Sequence, residues 1–161
     1  MLRTRAVRLT LAVAPAMSLA VGVIATAAGA QTGKRFAIAL SGAEEVPANA
    51  HGDLDHGSVV IWLNQGTEQV CWQFGELVLT EGEALPFAAH IHEAPVGSFG
   101  DVVVTLFDPT TGTTPTSYPT DTVCVSADRS LIKEIRKNPQ DYYVNAHNAT
   151  HPTGVVRGQL G

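Results

Sequence analysis

The 161-residue chain is short of several things, and each shortage excludes a class of protein. Cysteine occurs only at Cys71 and Cys124, with no C-x-x-C spacing, which argues against a thiolate metal site. There is no G-x-S-x-G stretch, and no serine or cysteine adjoins a histidine, so nucleophilic hydrolysis has no motif to stand on. Basic residues are few. Of the ten, Arg3, Arg5 and Arg8 lie in the first thirty residues, which leaves seven against fifteen acidic residues and a net charge of −8 with histidine neutral. That balance excludes nucleic acid and anionic lipid as partners and gives a solvated, acidic surface. Beyond residue 30 no apolar run is long enough to span a bilayer, and there is no convincing internal repeat.

What is present begins with an export signal. Arg3, Arg5 and Arg8 precede an apolar stretch from Leu9 to Ile24, and Ala28-Gly29-Ala30 supplies small residues for cleavage. Residues 1–30 are expected to be removed as a signal peptide. The alternative, an uncleaved anchor, is disfavoured by the short run and its small-residue end. No cysteine follows the apolar stretch, so this is not a lipoprotein signal. Residues 31–161 then form one domain of 131 residues in the extracellular or cell-envelope space. In that oxidising compartment Cys71 and Cys124 are expected to pair. Each lies in an apolar alternating run, Val70-Cys71-Trp72 and Val123-Cys124-Val125, so the bridge should join strands. Closing a loop of this length stabilises the fold by about 4 kcal/mol in the chain-entropy model.

The hydrophobic pattern has the period of strands nearly throughout. Phe36, Ile38 and Leu40 alternate; Gly57 to Leu63 and Val70 to Leu77 flank the turn Asn64-Gln65-Gly66-Thr67; further strands are predicted over Phe87–Glu93, Asp101–Phe107, Asp121–Ser126, Tyr142–His147 and Val155–Leu160. Trp62 and Trp72 alternate with apolar residues and read as core. One short helix is predicted near 128–138, capped by Asp128 and carrying Leu131, Ile132 and Ile135 toward the sheet, with Pro139 as its stop. Asp108 to Thr120, dense in threonine and proline, is expected to be an exposed loop. The expected fold is all-β: a single β-sandwich, or flattened barrel, of about 7–9 mostly antiparallel strands with that one helix.

The stretch Ala89-His90-Ile91-His92-Glu93 carries the most chemistry. Alternate residues of a strand share a face, so the two imidazoles stand roughly 7 Å apart at Cβ and can reach one ion. His147, in Tyr143-Val144-Asn145-Ala146-His147, is the candidate third ligand for copper or zinc. The competing reading is that these histidines bond backbone carbonyls or Glu93 and fasten strands together. His51, His56 and His151 lie among glycine, aspartate and proline; they read as surface residues, any of which can lend a fourth ligand. Arg157, next to Gly158 in the last strand, is expected to fork onto Glu45 or Glu44 and tie the two ends of the chain together; holding a substrate carboxylate is the functional alternative. Asn148-Ala149-Thr150 is a glycosylation sequon, relevant only in a eukaryotic secretory pathway.

Four blocks in order resemble the CHRD domain, the module named after chordin: Leu40-Ser41-Gly42-Ala43-Glu44-Glu45-Val46-Pro47; Ala89-His90-Ile91-His92; Gly97 and Gly100 ahead of Val102-Val103; and Tyr143-Val144-Asn145-Ala146-His147 with Gly154-Val155-Val156-Arg157-Gly158-Gln159-Leu160. The resemblance covers about residues 36 to 160. It implies a secreted β-sandwich and transfers no catalytic residue. The cysteine-rich growth-factor-binding repeats of chordin itself are missing, so growth-factor binding is not implied. A shorter likeness links His-x-His, Glu93 and the following glycine turn to the copper-binding strand of copper/zinc superoxide dismutase. The expectation is therefore a secreted, non-enzymatic binding or structural module with an unnamed extracellular partner or ligand. The alternative is a copper- or zinc-binding β-sandwich.

Overall fold

The structure, a computed structural model, describes residues 32–111, 118 and 121–161. The expected signal peptide and most of the threonine- and proline-rich loop lie outside the described residues. Eight strands form one sheet: β1 (Lys34–Ser41), β2 (His56–Asn64), β3 (Gln69–Val78), β4 (Ala88–Glu93), β5 (Asp101–Phe107), β6 (Val123–Ser126), β7 (Tyr142–His147) and β8 (Val156–Gln159). The spatial order is β5-β4-β7-β8-β1-β2-β3-β6, and every neighbouring pair is antiparallel. The two outermost strands, β5 and β6, approach each other, so the sheet is nearly closed. This is the expected all-β architecture in its flattened-barrel form.

Period-two alternation decides which side chains fill the inside. Phe36, Ile38 and Leu40 from β1 meet Val59, Ile61 and Leu63 from β2, then Val70, Trp72 and Phe74 from β3. Ala89 and Ile91 from β4, Val104 and Leu106 from β5, and Val144 and Ala146 from β7 complete the ring. Burying each large member contributes roughly 1.5–3 kcal/mol. The β2–β3 turn forms because the Asn64 side-chain oxygen accepts from the N–H groups of Gly66 and Thr67 at 3.0 and 3.1 Å, while Glu68 takes φ 56°. The helix, α1 (Arg129–Lys137), adds Ile132 and Ile135 to the interior.

Two expectations are corrected. Asp128 holds the N-cap position, but its side chain makes no capping bond; its backbone carbonyl accepts from Ile132 at 2.9 Å instead. Trp62 is buried but lies outside the core cluster. Val59, Ile61 and Leu63 take the inward positions of β2, so alternation turns Trp62 to the outer face, opposite Cys71. Cys71 faces Cys124 directly across β3 and β6, and the two form the expected disulfide with Cα atoms 4.0 Å apart.

The outer face is not uniformly wet. All six residues of β7 are buried, although only Tyr142, Val144 and Ala146 belong to the core. Tyr143, Asn145 and His147 point the other way, beneath loops that leave the sheet. Those loops are bound down by Arg157 and Gln159 donating to carbonyls of residues 94–98, and by Asn145 donating to Thr153. A second, polar interior layer results, with Glu45, Asn49, Asp55, His92, Asn145, His147, Asn148 and Arg157 all buried. A polar group removed from water there needs a partner.

Candidate metal centre

β4 and β7 are neighbours, registered so that His90 faces Asn145, His92 faces Tyr143, and Ala88 faces His147. Because Ala89 and Ile91 take the inward positions, His90 and His92 share the outer face with His147. The structure thus brings together the three histidines singled out from the sequence. One ring nitrogen from each lies within 4.8 Å of the other two. The ring centroids are 5.0, 5.7 and 6.0 Å apart.

The second nitrogens are turned toward acceptors. His92 Nδ1 donates to the Gly100 carbonyl at 2.9 Å, and His147 Nδ1 donates to the Pro152 carbonyl at 3.2 Å. Those bonds fix both tautomers and leave each Nε2 as a bare lone pair. His90 Nε2 faces the Asp108 carboxylate at 3.5 Å, and its Nδ1 stands 3.1 Å from His147 Nε2. Neutral His90 has one proton for these two contacts. On Nε2 it serves Asp108 and leaves two lone pairs confronting each other; on Nδ1 it serves His147 and turns a lone pair to a carboxylate. His92 Nε2 is buried with no partner at all. A shortage of positive charge sits at the point where the three rings converge.

Protonation does not supply it at neutral pH. Burial pushes the pKa of His90 and His92 below the usual histidine range, against the opposing pull of Asp108 and of the Gly100 carbonyl respectively. Burial, followed by the neighbouring His90 and His92, brings His147 down to about 4. Neutral imidazoles are the form that binds metals.

Tyr143 supports the centre from below. Its ring stacks on His92 at 4.8 Å and 9°, the Arg157 guanidinium lies 3.4 Å from its centroid, and its hydroxyl accepts from Gly100 N–H at 3.3 Å. The Gly100 peptide therefore bonds both the imidazole and the tyrosine that packs on it. Sequence reasoning did not single out Tyr143, Gly100, Pro152 or Asp108 as parts of the centre. Asp108 and Tyr143 carried only the signal of polar residues ending or interrupting apolar strands.

Arg157 is buried, but the expected direct fork onto Glu45 or Glu44 is not formed. Its guanidinium donates to the carbonyls of Ser98 and Pro95 at 2.8 and 3.3 Å, reaching loop backbone that no sequence pattern reveals. Glu45 instead accepts from Asn145 Nδ2 at 3.2 Å, leaving Glu45 Oε1 and Asn145 Oδ1 buried and unpaired. Burial pushes the Glu45 carboxyl up to about 8, against the lowering effects of Arg157 and Asn145. The protonated, neutral carboxyl is the form that this burial favours.

The loop histidines divide. His56 is exposed and bonds the carbonyls of Asp53 and Leu54. His51 and His151 gather with Asp55 into a separate group and are not part of the three-histidine set. Asn148 of the sequon is fully buried, its amide donating to Glu83 and to the Ala84 carbonyl, which leaves no access for a glycan in the folded chain. A cleft of about 450 Å³ lined by Val103, Ser126, Asp128 and Leu131 contains none of the histidines.

A family model described as the CHRD domain matches residues 36–160. No curated protein and no solved structure matches the chain.

Proposed function

Since the chain belongs to the CHRD-domain family, a family of extracellular-type domains, we propose that it acts as a secreted, non-enzymatic binding module, and that its ligand is a copper or zinc ion held by His90, His92 and His147. One observation carries this reading: one ring nitrogen from each of three buried or half-buried imidazoles converges within 4.8 Å, the single proton of His90 can serve only His147 among them, and His92 Nε2 has no partner. Each ring's other nitrogen faces an oxygen, the outer arrangement that orients histidine ligands and raises their basicity. Imidazole sets of this kind suit copper and zinc, whereas calcium and magnesium require oxygen-rich shells. Three protein ligands leave a fourth position for water or for a group from an extracellular partner. Export is the expectation from residues 1–30, and the disulfide supports it.

The test is metal analysis of protein recovered in its exported form, followed by stripping and titration with Cu²⁺ and Zn²⁺. His92→Ala and His147→Ala should each lose one bound equivalent while keeping the far-ultraviolet spectrum of the parent. If both variants bind as the parent does, the reading fails. If they lose roughly 1–3 kcal/mol of stability and the parent never holds metal, the histidines serve only to fasten loops.

A further inference from the structure

His51, Asp55, Glu83 and His151 come from three loops that are distant in sequence and meet in one cluster. Asp55 is fully buried and the Glu83 side chain only 6% exposed. Among the described residues neither carboxylate has a lysine or arginine within 4.0 Å; the only cationic partners in reach are imidazoles. His51 Nδ1 lies 3.2 Å from Asp55 Oδ2 and 3.8 Å from Glu83 Oε1, and His151 Nε2 lies 3.0 Å from the same Glu83 oxygen. The rings of His51 and His151 meet edge to face at 5.7 Å.

The carboxylates are also held from outside. Asp55 Oδ1 accepts the Thr80 N–H at 2.6 Å, and Asn49 Nδ2 reaches Oδ2 at 2.7 Å. Glu83 Oε2 accepts from Asn148 Nδ2 at 2.8 Å and from the Thr150 hydroxyl. Asn49 and Asn148 are themselves buried and also donate to backbone, at Val155 and Ala84. Asp55 Oδ2, which also accepts from Asn49, and Glu83 Oε1 are the oxygens that stand beside the imidazole nitrogens. The ligand atoms of His51, Asp55 and His151 lie within 4.8 Å of one another, Glu83 Oε1 stands beside both imidazoles, and a divalent cation among them would offset the two buried carboxylates.

We propose that His51, Asp55, Glu83 and His151 form a second divalent-metal site, a four-ligand N₂O₂ centre of the kind that holds structural zinc. The donor set is too poor in oxygen for calcium and lacks the water-rich geometry magnesium prefers; two imidazoles with two carboxylates fit a tetrahedral zinc shell. The site clasps the 49–55, 80–85 and 148–155 segments together. It also reaches the first centre through the chain: His151 adjoins Pro152, whose carbonyl orients His147. The inference does not rest on metal binding by His90, His92 and His147, and the two fail separately.

Chelator-stripped protein with its disulfide intact is titrated with Zn²⁺ against a chromophoric competitor. The His90→Ala/His92→Ala variant should retain one equivalent, and adding His51→Ala and His151→Ala should abolish it. Both added substitutions fall on partly exposed side chains, so the folded spectrum should persist. A wild-type measurement guards against loss of fold: on addition of Zn²⁺ the His51 and His151 ring-nitrogen resonances should shift. A folded His90→Ala/His92→Ala protein that binds no Zn²⁺ would overturn the proposal. So would an unchanged equivalent after His51 and His151 are removed, or wild-type ring resonances that ignore the ion.

Discussion

Replacing Glu45 with glutamine tests the polar layer at its most vulnerable point. Glu45 carries a carboxyl whose pKa burial raises from 4.5 to about 8. Below pH 4.5 the folded and unfolded chains both keep the proton, so the group's contribution is constant there. Between pH 4.5 and 8 the unfolded chain releases the proton while the folded chain holds it, and stability falls as pH rises. Above pH 8 both forms are ionised and the loss is complete. At about 1.4 kcal/mol per pH unit the whole excursion approaches about 5 kcal/mol, an upper figure because water can relax around a charged side chain. Glu45→Gln is neutral at every pH and nearly isosteric, and its amide oxygen can keep the bond donated by Asn145 Nδ2. Urea unfolding of both proteins from about pH 5 to about pH 9 should therefore give similar stabilities at the acid end, within about 1 kcal/mol, and a variant more stable by about 2–4 kcal/mol at the alkaline end. The buried histidines act in the opposite direction: their lowered values favour the folded state as pH rises toward neutrality, and they cancel in the difference between the two proteins. Parallel profiles for the two proteins, or a variant less stable at the alkaline end, would refute a protonated Glu45 and restore the ionic role expected from the sequence.

Three further outcomes are expected. Thiol labelling of the denatured, unreduced protein should find no thiol, and Cys71→Ala/Cys124→Ala should lower unfolding stability by about 2–4 kcal/mol in urea; two labelled cysteines would contradict the bridge. Tyr143→Leu should weaken metal binding at the three-histidine centre about 10–100-fold in a competition titration without removing any ligand, because His92 loses its stack and Gly100 its hydroxyl partner; unchanged affinity would assign Tyr143 to packing alone. Amino-terminal sequencing of secreted protein should begin at Gln31, and material beginning at Met1 would dismiss the signal peptide.

Most of the strand framework is legible in the sequence because a period of two leaves a record in the chain. β5 and β7 match the expected spans residue for residue, and β4 differs by one residue at its start. The same alternation suffices to place His90 and His92 on one face. It does not say whether that face is wet, since a covering loop has no period. The layer over β7 depends on which carbonyls happen to arrive above it, and Arg157 illustrates the result: a carboxylate partner is a sound inference from residue type, but backbone oxygens at Pro95 and Ser98 stand nearer. The second histidine group escapes sequence reasoning for a related reason. Its ligands come from loops, and only the His51 to Asp55 spacing of four joins two of them locally. Trp62 shows the limit of composition, because an apolar residue on the outer face of β2 looks the same in sequence as one facing in.

The strand order also dictates when the protein can become itself. β1, the first strand, lies between β2 and β8, the last, with Ser41 opposite Arg157. Everything between must be made before the seam can close, so the folding reaction is dominated by contacts between distant parts of the chain and should be slow. The early β1–β2–β3 hairpins can assemble on their own pairing, but β7, the strand that carries His147 and Tyr143, gains its second neighbour only with β8. A chain lacking β8 would break the sheet into β5-β4-β7 on one side and β1-β2-β3-β6 on the other, with the β7 edge beside His147 and Tyr143 left unpaired.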